Sequence, residues 1–435
     1  MTLSPRIPGL LAAALAALVV FGATALVLSR TRGEAPPAAA AAAPVPRTTD
    51  GTIAAAQARL AEDPGDVRAL TALAGASLDK ARQTGDPTWN TRAEEAARRA
   101  LERDPRSFEA MDALGTLALT RHRFADALDW SRRSLAVAPS RVAPIGIQAD
   151  ALIELGRYEA GVAAIQRRLE LRPDLPAYSR ASYALELRGD RAGAISLMQL
   201  AVGAGVPGGE AQTWARVQLG LLRAGGGDLG GAEREMRTAL AALPGDARAT
   251  AGLAHVLASR GRLERAATLY SQAIDRLPLP EYPAALADVH RALGRDAAAR
   301  DDLALAAAMQ DLLATNGSLV DLDLSLQNAD ARRPGAADIA AARAAREARP
   351  GVIGDQVLGW VLTRAGRCAE GDRFATRSLR LGTRDALMLF HAGMAASCAG
   401  RTDVARERLS QALALNPAFS VRWAPVARAE LAGLG

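Results

Sequence analysis

Residues Ala247–Pro280 read ARATAGLAHVLASRGRLERAATLYSQAIDRLPLP, and these 34 residues decide the fold. Leu253, Ala254 and Leu257 fall at helical spacing, as do Ala266, Tyr270 and Ala273. The segment therefore predicts two amphipathic helices. Gly261 between them suits a tight turn, and Pro278 stops the second helix. Small residues stand at the eighth and twentieth positions, where the two helices of a pair touch. Larger apolar residues fill the space between one pair and the next.

The same skeleton returns with a period near 34 from about Val67 to Phe419. Clear copies are Phe108–Arg141, Val142–Asp174, Leu175–Gly208 and Thr213–Asp246, then Val352–Asp385 and Ala386–Phe419. Others are less regular. The first, Val67–Ser107, carries an overlong turn at Gln83–Pro87. The seventh, from Pro280, runs apolar to Leu313 with no closing proline, and the eighth, Ser318–Gly351, has an unusual turn at Asp330–Gly335. Residues 52–66 form a lone helix ahead of this 67–419 array, and 420–435 a capping helix behind it. The chain is 49% hydrophobic but only 4% aromatic, with long alanine runs and no hairpin pattern, so an all-α fold follows.

This skeleton resembles the tetratricopeptide repeat, over roughly four fifths of the chain. The resemblance implies a right-handed α-solenoid of about ten helix–turn–helix units. It also implies capture of a protein or peptide on the concave face, which the first helix of each pair lines. In the repeat's frame the groove residues are Glu109, Asp112, Asp150 and Glu154 near its start. Tyr183 and Trp214 follow, and Trp360, Phe390 and Met394 stand near its end. The groove thus reads as acidic first and apolar last, fitting a partner with a basic segment and an apolar one. The Lys–Asn pairs by which co-chaperones of this superfamily grip a C-terminal carboxylate do not stand at those positions. Two stretches, DKARQTGDPTW (Asp79–Trp89) and LNPAFSVRWAPVA (Leu415–Ala427), resemble segments of bacterial repeat proteins that carry no assigned activity.

Ahead of the repeats, Ile7–Leu28 (IPGLLAAALAALVVFGATALVL) is uncharged, apolar and long enough to span a bilayer. Ala23-Thr24-Ala25 offers a signal-peptide cleavage site. The apolar run continues past it, which favours an uncleaved anchor after a short tail, residues 1–6. Residues 29–51, with EAPPAAAAAAPVPR at Glu34–Arg47, form a Pro/Ala-rich spacer. The expectation is a single-pass protein with its repeat domain outside the cytoplasm, the alternatives being secretion after cleavage or a domain facing the cytoplasm.

The formal charge is +6, almost all from arginine, with Lys80 the only lysine. The arginines are spread among Asp and Glu in every repeat, without the clustered face and stacking aromatics that nucleic acid requires. Gly225-x-Gly227-x-x-Gly230 spells a dinucleotide fingerprint, yet a helical segment precedes it where the mechanism needs a strand, so no cofactor is expected. No nucleophile–base arrangement stands out, and the four histidines are far apart in sequence. The expectation is a binding scaffold. The alternatives are a structural subunit of a membrane-associated assembly or, last, an enzyme in the irregular 280–351 region. Cys368 follows the Gly366 turn and Cys398 precedes the Gly400 turn of the next repeat. Such turns lie side by side in a stack, so the pair is a disulfide candidate.

Overall fold

The computed structural model describes residues 48–319 and 321–434, and among these it holds twenty-two α-helices and no strand. Helix α1 (Thr49–Glu62) stands alone. Ten antiparallel pairs follow: α2 (Val67–Thr84) with α3 (Thr88–Arg103), α4 (Phe108–Thr120) with α5 (Phe124–Val137), α6 (Val142–Glu154) with α7 (Tyr158–Leu171) and α8 (Leu175–Leu187) with α9 (Arg191–Ala204). Next come α10 (Glu210–Gly225) with α11 (Leu229–Ala242), α12 (Ala247–Ser259) with α13 (Leu263–Arg276) and α14 (Glu281–Ala292) with α15 (Asp296–Thr315). The last are α16 (Asp321–Ala331) with α17 (Ala336–Ala348), α18 (Val352–Arg364) with α19 (Cys368–Ser378) and α20 (Ala386–Cys398) with α21 (Thr402–Leu415). Helix α22 (Trp423–Gly433) caps the end. The expected span Ile7–Leu28 lies outside the described residues, among which no helix is long and apolar enough to cross a membrane.

The pairs form for the reasons the pattern implies. In the quoted repeat Ala254, Ala266 and Ala273 are fully buried, so the two helices approach to alanine distance. Asp246 caps α12, its Oδ1 accepting from the Ala249 amide at 2.7 Å. Ser107, Asp174 and Asp385 serve in the same way ahead of α4, α8 and α20. Helix α1 starts at Thr49, inside the stretch assigned to the spacer, because Thr48 Oγ1 accepts from Gly51 N at 3.1 Å. Helix α15 runs for 20 residues where the second helices of the regular pairs have 14, or 11 in the ninth, which absorbs the missing proline of the seventh repeat.

The stack closes on itself. The Val352 amide donates to the Tyr158 hydroxyl at 2.7 Å, and Asn416 Nδ2 donates to the Ala224 carbonyl at 2.9 Å. Thr383 Oγ1 donates to the Leu187 carbonyl, Arg191 Nη2 to the Arg384 carbonyl, and the Leu319 amide to the Arg121 carbonyl. His122 Nδ1 lies 2.9 Å from the Leu319 carbonyl. Partners across this seam are 192 to 198 positions apart, just under six 34-residue repeats. The solenoid is therefore a superhelix of nearly two coils whose coils touch. The turns within repeats of the first coil rest on the junctions between repeats of the second. Apolar packing follows the same line, for one core cluster joins Ile153 and Tyr158 to Val352 and Met388. Gly189 shows why the seam needs glycine. Its φ is +77°, and a Cβ there would run into the Gly382 carbonyl. In the second repeat His122 takes the turn glycine's place at φ 56°.

Candidate partner-binding cavity

The first helices of the third, fourth and fifth pairs (α6, α8 and α10) line a concave cavity of about 470 Å³. Asp150, Tyr183 and Trp214, read from the sequence as groove residues, all stand in its wall, with Arg180, Glu186 and Gln218 between them. Asp150 holds Arg180 in a two-pronged pair, Nε to Oδ1 at 2.9 Å and Nη2 to Oδ2 at 2.8 Å. Tyr183 donates to Glu154 at 3.3 Å, and Glu154 also takes the Arg349 guanidinium from across the seam. Glu186 is half-buried, and its carboxylate makes no hydrogen bond or ion pair among the described residues. Burial raises the Asp150 and Glu186 carboxyls above their ordinary range, Arg180 and Arg191 respectively opposing it. Burial likewise pushes the Tyr183 phenol up. Trp214 keeps 37% of its surface exposed and also borders a second cavity with Glu210 and Arg248.

The other groove residues are placed differently. Glu109 is exposed in the first turn of α4. Asp112 is buried, accepting from Ser134 Oγ at 2.6 Å and from Arg141 Nη2 at 3.0 Å, so it ties the first helix of the second repeat to that repeat's second helix and its last residue. Trp360 and Phe390 are core residues, not a binding patch. Trp360 is 2% exposed, stacks on His391 with ring centroids 4.2 Å apart, and donates Nε1–H to Asp330 at 2.7 Å. Phe390 is fully buried, with Phe419 at 5.6 Å. Met394 packs on the same cluster. The reason is the cap. Trp423, at the start of α22, meets Trp360 edge-on at 5.4 Å and covers the face the repeat frame leaves open. The apolar end of the groove is thus spent on closing the solenoid. Cys368 and Cys398 are joined as a disulfide, Cα–Cα 5.2 Å, between the ninth and tenth repeats.

Sequence reasoning passed over Arg180 and Glu186. A signal for the first was present. Asp112–Arg141, Asp150–Arg180, Glu154–Tyr183 and Asp330–Trp360 all pair at offsets of 29 or 30, one repeat less a helical turn. That offset is the rung spacing between neighbouring first helices. Among the described residues no group of three or more His, Cys, Asp or Glu side chains is arranged to hold a metal ion.

Tetratricopeptide-repeat family models match residues 90–141 and 224–289. The chain contains tetratricopeptide repeats. Similar solved structures include a tetratricopeptide repeat protein from Parabacteroides merdae, 16% identical, covering 56% of this chain and 98% of that one with a TM-score of 0.40. Another is YrrB, described as a tetratricopeptide repeat protein with an unusual peptide-binding site, 20% identical, covering 42% of this chain and 94% of its own at a TM-score of 0.29. The Cut9–Hcn1 hetero-tetramer of the APC/C is 16% identical and covers 89% of this chain and 84% of the matched one, TM-score 0.38. No curated protein matches the sequence.

Proposed function

We propose that this tetratricopeptide-repeat protein is a membrane-tethered scaffold that captures a protein or peptide partner by a basic side chain set against Glu186. The observation that carries this is the half-buried Glu186 carboxylate, without an ion pair among the described residues, in a concave cavity walled by Tyr183 and Trp214. A lysine or arginine entering there gains a charge partner in a partly desolvated site and two aromatic walls for its stem. The apolar run Ile7–Leu28 and the Pro/Ala spacer support a tether that holds the repeats off a membrane. The joined Cys368 and Cys398 support placement of the repeats in an oxidising compartment.

The test is selection from a random peptide library on the full-length protein in detergent. Enrichment of lysine or arginine sequences that is lost in Glu186→Gln supports the reading. Trp214→Ala should weaken the selected peptides by about 2 kcal/mol if the ring is an anchor. Equal binding by both variants and the parent sinks it. A second reading, a structural subunit of a membrane-associated assembly, draws on the exposed Leu305 and Leu312 of α15, seven positions apart on one helix face. A stoichiometric, salt-resistant companion on purification from membranes would favour it.

A further inference from the structure

The departures of this chain from repeat regularity meet at one place. The overlong turn after α2 and the extended end of α15 face each other across the seam and enclose a cavity of about 640 Å³. The turn contributes Asp86 and Pro87, α3 contributes Asn90, and α15 contributes Gln310 and Leu313. A smaller cavity of about 260 Å³ adjoins it, with Glu281, Gln310 and Asp323 in the walls of both.

Two buried side-chain amides here have polar atoms without a partner among the described residues. Gln310 is 1% exposed, and neither its Nε2 nor its Oε1 has a partner among the described residues. Asn90 is 5% exposed, and its Oδ1 likewise has none among them. Natural proteins seldom leave such groups unsatisfied, so each asks what it faces. Gln310 would pack better as leucine if its role were structural. The surrounding charge is lopsided. In the larger cavity the carboxylates Asp79, Asp86, Glu281 and Asp323 outnumber the guanidiniums Arg82 and Arg248 by four to two. Arg82 is engaged by Glu210 and Asp79, and Arg248 Nη2 donates to the Arg82 carbonyl at 3.0 Å. Glu281 and Asp323 are exposed and form no ion pair among the described residues, and the Glu281 carboxylate accepts from its own backbone amide. A ligand completing this site needs a positive charge for Glu281 and Asp323. It also needs N–H donors for the two amide oxygens and one oxygen acceptor for Gln310 Nε2.

We infer that the inter-coil cavity between Asn90, Glu281 and Gln310 is a binding site for a small amine that carries a carbonyl or hydroxyl oxygen beside its ammonium group. Amino-acid amides and amino sugars share that chemistry. A polyamine offers no acceptor for Gln310, and an anion meets the wrong charge. Because the walls come from both coils, an occupant ties the first repeats to the seventh and eighth. This site is separate from the cavity at Glu186.

The test is calorimetric titration of the full-length protein in detergent with lysinamide, glucosamine and acetamide. Saturable binding of lysinamide or glucosamine is expected, and the tighter of the two identifies the source of the oxygen. Glu281→Gln should weaken it about tenfold, the worth of one charged hydrogen bond. Gln310→Leu should weaken binding while leaving the protein folded, and Glu186→Gln should leave binding unchanged. The inference is overturned if neither amine binds saturably, or if acetamide binds as well as the amines. It is equally overturned if Gln310→Leu binds as the parent does, or if the loss follows Glu186 rather than Glu281.

Discussion

The hydroxyl of Tyr158 accepts a 2.7 Å hydrogen bond from the backbone amide of Val352, and 194 positions separate the two residues. Both are buried, so the bond is shielded from water. It marks the line along which one coil of the superhelix rests on the next.

Tyr158→Phe keeps the ring but strands the Val352 amide in the interior. The expected loss is about 1–3 kcal/mol, the cost of a buried unsatisfied donor. Urea unfolding of the variant measures it. Tyr183→Phe, which loses a 3.3 Å bond to a charge-paired carboxylate, is the comparison and should lose less. Equal losses would deny the seam its stabilising role.

Gly189→Ala and Gly261→Ala separate backbone strain from seam contact. Both glycines have positive φ, +77° and +75°. Each substitution should cost about 1–2 kcal/mol for the left-handed conformation alone. A Cβ at Gly261 meets nothing within 4 Å, whereas one at Gly189 meets the Gly382 carbonyl. The Gly189 variant should therefore unfold at clearly lower urea than the Gly261 variant. Indistinguishable midpoints would mean that the coils are not in contact there.

His391 gives the fold a dependence on acid. Burial holds its pKa down at about 3, and its Nε2 has no partner among the described residues. In the unfolded chain the ring titrates near 6.5. Between those values the unfolded chain binds a proton that the folded chain refuses, so this residue lowers stability as pH falls below about 6.5. The slope is about 1.4 kcal/mol per pH unit. His391→Phe, which keeps a flat ring against Trp360, should show a pH dependence of unfolding shallower by one proton between pH 7 and 4.5. The same slope in both proteins would refute the assignment.

The disulfide between Cys368 and Cys398 closes a loop of 30 positions at the end of the array. Loop-closure entropy gives it about 3 kcal/mol. A reductant should lower the unfolding midpoint of the parent protein and leave a variant with both Cys368→Ser and Cys398→Ser unmoved. Two free thiols in the unfolded, unreduced protein would contradict the pairing.

The helix pairs were legible because their determinants are local. Leu253, Gly261, Ala266 and Pro278 each act within one repeat, and a 34-residue period is visible by eye. Part of the cavity was legible for the same reason: Asp150, Tyr183 and Trp214 follow from the frame of single helices. The seam was not. Whether Tyr158 reaches Val352 depends on the pitch of the superhelix, which sums small rotations over several repeats and is written at no single position. Trp360 and Phe390 were misread for a related cause. Their frame faces the groove, but Trp423, in a helix outside the repeat pattern, lies over them.

The stitching of coil to coil also sets an order on how this chain folds as it is made. An array whose contacts run only between neighbours can settle pair by pair as it leaves the ribosome. Here Gly156, Gly189 and Ala224 wait for partners nearly 200 residues downstream. Those contacts carry the entropy of closing very long loops and form late. Until the ninth repeat emerges, the nascent first coil presents bare the surface that Pro350, Gly351 and Val352 will cover. Synthesis thus passes through a stage of finished helices and an unfinished coil, and completion arrives as one late, cooperative step.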